Sequence, residues 1–111
     1  MKTIEIDRDL AERAREELAH LANAEVVCAD AHAVDEWRGA TKVMVGFDVG
    51  EIPKAWIDAL GPGGRLVCPV SGELVVIDAE GRRSLGPVRY VRDRSEAGKI
   101  EPTEPARMIV A

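Results

Sequence analysis

The sequence predicts an α/β protein built on an open, mostly parallel sheet that a closing antiparallel hairpin completes. Three observations predict it. Strand-like and helix-like segments alternate along most of the chain, the order expected of right-handed crossovers. Apolar residues make up 46% of the composition and aromatics only 4%, so the core must be built from Val, Ile, Leu and Ala. Finally, segments 42–47 and 65–70 carry apolar residues on both faces of a pleat, a pattern expected of strands covered from both sides.

The elements follow in order. Lys2-Thr3-Ile4-Glu5-Ile6 reads as a strand that stops at Asp7, a good helix N-cap. Leu10, Ala14, Leu18 and Leu21 then recur at helical spacing and predict a helix over 8–22. Glu25-Val26-Val27-Cys28 predicts a second strand leading to Asp30, and 31–40 is weakly helical around Trp37. A third strand over 42–47 belongs at the centre of the sheet. Pro53 opens a second helix over 54–60, with Gly61 as its cap, and the Gly61-Pro62-Gly63-Gly64 loop feeds a fourth strand over 65–70. Segments 73–77 and 82–92 flank an Ala79-Glu80-Gly81 turn and predict an antiparallel pair. The strands starting near Thr3, Glu25, Lys42 and Arg65 are expected to be parallel. Residues 1–92 thus form one α/β unit. The remainder, 93–111, is charged, is interrupted by Pro102 and Pro105, and reads as a flexible or surface-lying tail with Met108-Ile109-Val110 as an anchor.

Composition bounds the function. A chain of 111 residues is one domain at most. Its net charge of −5 would repel a nucleic-acid backbone, so nucleic acid is not expected as a partner. Cys28 and Cys68 sit in apolar runs and read as buried, reduced thiols, and no segment has the composition of a leader or a membrane span. A soluble, cytoplasmic protein is expected. His20 and His32 share no metal-ligand spacing with the cysteines, so no metal site is assigned. Ser71 and Ser84 lack a nucleophile-elbow context, which argues against a hydrolase.

Four motifs carry a resemblance. They are Ile4-Glu5-Ile6-Asp7-Arg8-Asp9-Leu10-Ala11, Val26-Val27-Cys28-Ala29-Asp30-Ala31, the run from Glu51 through Gly61-Pro62-Gly63-Gly64 to Val70, and the hairpin pair Glu73 to Ile77 with Pro87 to Val91. In this order and spacing the chain resembles the carboxyl-terminal part of the protein-L-isoaspartate O-methyltransferases. These are Rossmann-like enzymes that use S-adenosylmethionine. The resemblance implies a truncated sheet lacking the family's first strand and its glycine-rich loop, the place where backbone amides receive the methionine part of the donor. The family's strand order leaves the slot for that strand between the strands of Thr3 and Lys42. Either those two pair directly or something else fills it.

The resemblance also implies site residues. Glu5, with Ile6 beside it, falls where an acidic strand end accepts hydrogen bonds from the donor's ribose hydroxyls. Otherwise Glu5 would be a solvated strand-end carboxylate. Asp30 and Ala31 match the corner facing the adenine amino group, although Asp30 could equally cap the weak helix after it. Gly46 ends the central strand where the family has a Thr-Ala-Ala type stretch. The neighbouring Phe47 is expected to point into the core and Asp48 to be an exposed loop carboxylate, with a site role for Asp48 as the alternative. No catalytic residue is assigned.

The expected function is a methyltransferase-fold module that does not turn over alone and holds S-adenosylmethionine weakly or not at all. The alternative is one subunit of a split carboxyl methyltransferase completed by a partner chain. Since both faces of the central strands stay apolar, a homo-oligomer or a covering partner is expected.

Overall fold

In chain order the strands are β1 Lys2–Glu5, β2 Glu25–Cys28, β3 Lys42–Val45, β4 Arg65–Val70, β5 Glu73–Asp78, β6 Gly81–Pro87 and β7 Arg107–Val110. The helices are α1 Arg8–Leu18 and α2 Lys54–Ala59, with a 3-10 turn at Val34–Glu36. The computed structural model describes residues 1–92 and 107–110. The seven strands form one mixed sheet in the order β2-β1-β7-β3-β4-β5-β6.

β1 pairs parallel with β2, and β3 with β4. β7 lies between β1 and β3, antiparallel to both, so the four strands of the expected parallel set share one direction. β5 and β6 close the sheet as an antiparallel hairpin on β4. The slot that the resemblance leaves between the strands of Thr3 and Lys42 is therefore filled, by the chain's own β7. This corrects the reading of 93–111 as a flexible or surface-lying tail: the anchor residues Met108 to Val110 are a central strand of the same sheet. Residues 93–106 and 111 lie outside the described residues.

The pleat of β7 explains the insertion. Met108 and Val110 point to one face, where they pair in register with Ile4, Val45 and Val43, and both are buried. That face also carries Leu66, Cys68, Val75 and Ile77, and it is closed by Trp37 from the end of the 3-10 turn and Trp56 from α2. The two indoles meet edge-on at 6.3 Å, and Phe47 meets Trp56 edge-on at 6.1 Å. Phe47 is buried in this cluster, as the sequence suggests.

The opposite face is covered unevenly. α1 packs over β1 and β2 through Ala11 and Ala14, both buried and neither part of the aromatic-side core. Beyond β1, Ile109, Met44 and Val67 on this face are only partly buried, while Val76 of β5 and Pro69 of β4 are buried.

Local chemistry sets the helix limits. Asp7 caps α1, its Oδ1 accepting from the Leu10 amide at 3.0 Å. The helix ends at Leu18, short of the expected 22, because the Ala19 amide turns back to Glu16 O and the Leu21 amide to Leu18 O, tightening the chain toward β2. Leu21, the last residue of the helical stripe, stays exposed. Gly61 serves differently from a left-handed cap. A Cβ there would strike Gly39 O, so glycine lets the chain after α2 cross the 39–41 segment, where the Gly61 amide donates to Ala40 O at 2.8 Å. β6 stops at Pro87, well before the expected 92, since Gly86 has φ 116° and proline offers no amide to a ladder. Cys68 is buried as expected. Cys28 is exposed, on the edge strand β2. Among the described residues no helix is long and apolar enough to cross a membrane.

Candidate functional site

In open α/β sheets ligands bind outside the carboxyl ends of the parallel strands. The five candidate residues from the sequence meet at that edge. Glu5 ends β1, Ile6 follows it, Asp30 and Ala31 follow β2, and Gly46 follows β3. The Ala29 amide donates to Glu5 O at 3.0 Å, which ties the β2 corner to the end of β1.

Glu5 itself departs from both sequence expectations. It is neither solvated nor open to a ligand: its exposure is 0%, although it is a strand-end carboxylate. It pairs in register with Arg107 of β7, whose Nε lies 3.7 Å from Glu5 Oε2. Glu5 Oε1 accepts from the Asp7 amide at 3.1 Å. The Arg107 side chain is 26% exposed, so the guanidinium bridges the buried carboxylate to the surface. Two opposite charges brought this close in a partly buried place resist the removal of either partner.

Gly46 is bound into the same contact. Its amide donates to Arg107 O at 2.8 Å, and a Cβ on Gly46 would meet that oxygen at 2.9 Å. Glycine is needed here by the close approach of β7. The end of β3 and the end of β1 are thus both occupied by one residue, Arg107, that the sequence reading left in the tail. The available signal was the alternation in Arg107-Met108-Ile109-Val110, whose apolar residues would face both sides of a sheet.

The β2 corner is engaged locally. Asp30 Oδ1 accepts from the His32 amide at 2.9 Å, and Asp30 O accepts from the Ala33 amide at 2.9 Å. Asp30 therefore closes a tight turn ahead of the 3-10 turn, which has no side-chain cap of its own. Ala31 is buried, and its carbonyl accepts from Trp37 Nε1 at 2.9 Å. Ile6 is half-buried. Asp48 is not a solvated loop carboxylate: it receives the amides of Ser71 at 3.1 Å and Gly72 at 2.7 Å, and so holds the β4–β5 turn, where Ser71 has φ 46°. Among the described residues no three His, Cys, Asp or Glu side chains gather as a metal site.

The fold and this edge can now be set beside known proteins. The sequence model of protein-L-isoaspartate(D-aspartate) O-methyltransferase matches residues 1–92. The chain belongs to the protein-L-isoaspartate O-methyltransferase family. It is 39% identical over 101 residues to the protein-L-isoaspartate O-methyltransferase of Methylibium petroleiphilum, covering 88% of this chain and 34% of that protein. It is 32% identical over 100 residues to that of Pseudomonas paraeruginosa, covering 80% and 47%. The chain thus spans between a third and a half of the length of these two relatives. Among solved structures, a protein-L-isoaspartate O-methyltransferase matches with a TM-score of 0.70 at 20% identity, over 80% of this chain and 32% of that one. The Plasmodium falciparum beta-aspartate methyltransferase, in complex with S-adenosyl-L-homocysteine, matches with a TM-score of 0.64 at 20% identity, over 81% and 50%. The sheet is a partial Rossmann-like methyltransferase fold.

Membership sharpens the test of the cofactor. The residues present do not fit a donor ribose at Glu5. Its carboxylate is buried under Arg107 and could accept from a ligand's hydroxyls only after β7 moved. The neighbouring Gly46 amide is also spent on β7.

Proposed function

We propose that this chain is a methyltransferase-fold module with a binding or structural role that does not transfer methyl groups by itself, and that its affinity for the adenosine half of S-adenosylmethionine is weak or nil. One observation carries the reading: β7 fills the slot between β1 and β3 and places Arg107 on Glu5 and Gly46. Isothermal titration of the whole chain with S-adenosylhomocysteine tests it. No measurable heat, or a dissociation constant near a millimolar, is expected. Binding at about a micromolar, worth about 8 kcal/mol, would overturn the proposal. The two free cysteines support placing the protein in a reducing, cytoplasmic setting.

The second reading is a subunit of a split carboxyl methyltransferase. It is favoured by Glu5 and Asp30 lying at the same edge, in the order the family uses. It requires a partner's strand to take the slot of β7. Incubating the chain with an isoaspartyl peptide and labelled donor, with and without candidate partners, separates the readings, and inactivity throughout would remove the second.

A further inference from the structure

We propose that β7 is an autoinhibitory strand: it leaves the sheet as a unit, and only the released form presents Glu5 and the Gly46 amide to a ligand. This deepens the first functional reading and rests on it, since β7 then becomes the reason that affinity for the adenosine half of the donor is weak.

The strand sits where a ligand crevice belongs. Crossovers through α1 and α2 join β1 to β2 and β3 to β4, and they run outward in opposite directions, so the order of the sheet reverses between β1 and β3. In open α/β sheets such a reversal marks the crevice at the carboxyl ends of the strands. β7 fills it, and no crossover ties β7 to either neighbour. Its residue at the carboxyl edge is Arg107, whose Nε stands 3.7 Å from Glu5 Oε2 and whose carbonyl takes the Gly46 amide at 2.8 Å. One residue thus occupies both the carboxylate of the β1 end and the amide of the β3 end.

Release leaves a sheet that can close. β1 and β3 run in the same direction, and through β7 Ile4 stands level with Val45 and Thr3 with Met44. The two strands can therefore pair without a change of register, with Ile4 and Val45 keeping the closed face. Glu5 and Gly46 then lie side by side at the carboxyl edge. Movement would be local, because Val91 O accepts the Asp48 amide at 2.6 Å, so residues 91 and 107 flank the same short stretch after β3.

The scarcity of the released form sets the affinity. Release gives up the burial of Met108 and Val110 and the Arg107–Glu5 contact, which leaves on the order of one molecule in 10⁴ released. An apparent dissociation constant is the intrinsic one divided by the competent fraction, so a site of about 0.1 μM would present as about a millimolar. Changes that weaken β7 but spare Glu5 should therefore tighten binding.

Native-state hydrogen exchange and isothermal titration with S-adenosylhomocysteine, both on the whole chain, test this. The amides of Met108, Ile109 and Val110 should exchange together, protected about 10⁴-fold, while those of β4 and β5 wait for global unfolding and exchange more slowly. Arg107→Ala should tighten binding about tenfold, and Met108→Ala, acting from the closed face, about thirtyfold or more. Adding Glu5→Ala to either should abolish the gain. If a variant fails to fold, exchange in the wild-type chain still decides. β7 amides that exchange only together with those of β4 and β5 would overturn the proposal, because the strand would then be fixed in the sheet. So would variants that bind no tighter than wild type, or a gain that survives Glu5→Ala. Wild-type binding at about a micromolar would fail the functional reading by itself. It would overturn the proposal as well if β7 stayed protected, and uphold it if β7 exchanged freely.

Discussion

The two faces of the sheet are made by the same strands and differ in almost every physical respect. On one face Ile4, Val43, Leu66, Met108 and Val110 lie under Trp37 and Trp56. On the other, α1 covers Thr3 and Glu5, and the row continues into half-open Ile109, Met44 and Val67. β7 serves both. Met108 and Val110 complete the closed face, while Arg107 places a charge over Glu5 on the other. The contrast teaches that one strand can serve a closed core and a filled edge at once. Within one strand, Met108 and Val110 complete the closed face while Arg107 fills the ligand edge, so the packing of the one does not depend on the other being open.

Adjacent residues of β7 give the sharpest way to break the contrast. Met108→Asp places an unpaired carboxylate in the closed face and should cost more than about 4 kcal/mol, enough to unfold a domain of ordinary stability. Ile109→Asp, one residue on, can hydrate its charge and should cost about 1–2 kcal/mol. Urea unfolding measures both, and equal losses would mean that the faces are equally closed. The next step down compares neighbours on β4. Leu66→Ala should cost about 2–5 kcal/mol as a buried truncation, and Val67→Ala about 1 kcal/mol or less.

Most of the closed face was legible in the sequence. Periodicity and capping placed α1, α2 and six of the strands, because local apolar patterns decide those elements. Asp7 and Pro53 mark helix starts by chemistry that needs no tertiary partner. The five candidate residues chosen by motif order fall together at the carboxyl ends of β1, β2 and β3. What stayed hidden was long-range. Nothing local tells Arg107-Met108-Ile109-Val110 to pair with β1, about 100 residues away in the chain, and so the burial of Glu5 and the role of Gly46 were hidden with it. Asp48 was misread for the same reason, since its partners Ser71 and Gly72 lie beyond α2.

The Glu5–Arg107 contact lies on the open face yet is partly closed, and should give an intermediate effect. Glu5→Ala removes the acceptor of the Asp7 amide and leaves the guanidinium without its carboxylate. A fully buried pair would lose 3–5 kcal/mol, but the Arg107 end reaches solvent, so a loss of about 1–3 kcal/mol is expected. Arg107→Met should recover part of that loss in the Glu5→Ala background. A double-mutant cycle from thermal or urea unfolding measures the coupling, and a coupling indistinguishable from zero would show that the contact does not hold β7 in place.

The smallest effect belongs to the edge of the open face, where Asp78 sits between β5 and β6. Arg83 donates to it twice, at 3.0 and 2.9 Å, and the Glu80 amide adds a bond at 2.9 Å. The Arg83 hydrogen bonds are the main cause of a pKa drawn down from the ordinary 3.8 to about 2, with the Glu80 amide and the Arg83 and Arg65 charges adding to it. The sign follows from proton linkage. With its folded pKa depressed, Asp78 contributes its full stabilisation above the ordinary value, and the unfolded chain takes up the proton first as pH falls. The contribution is therefore lost between 3.8 and about 2, and absent below. Because the Arg83 side chain is 41% exposed, water and salt screen the pair, so the effect on global unfolding should be slight, while the carboxyl resonance should report it directly. An NMR titration should find the midpoint of Asp78 near 2 in the native chain and displaced toward 3.8 in Arg83→Met. A native midpoint already at the ordinary value would mean that the Arg83 bidentate contact does not persist in solution. In that case Asp78 would keep only the Arg65 contact at 3.4 Å and the Glu80 amide.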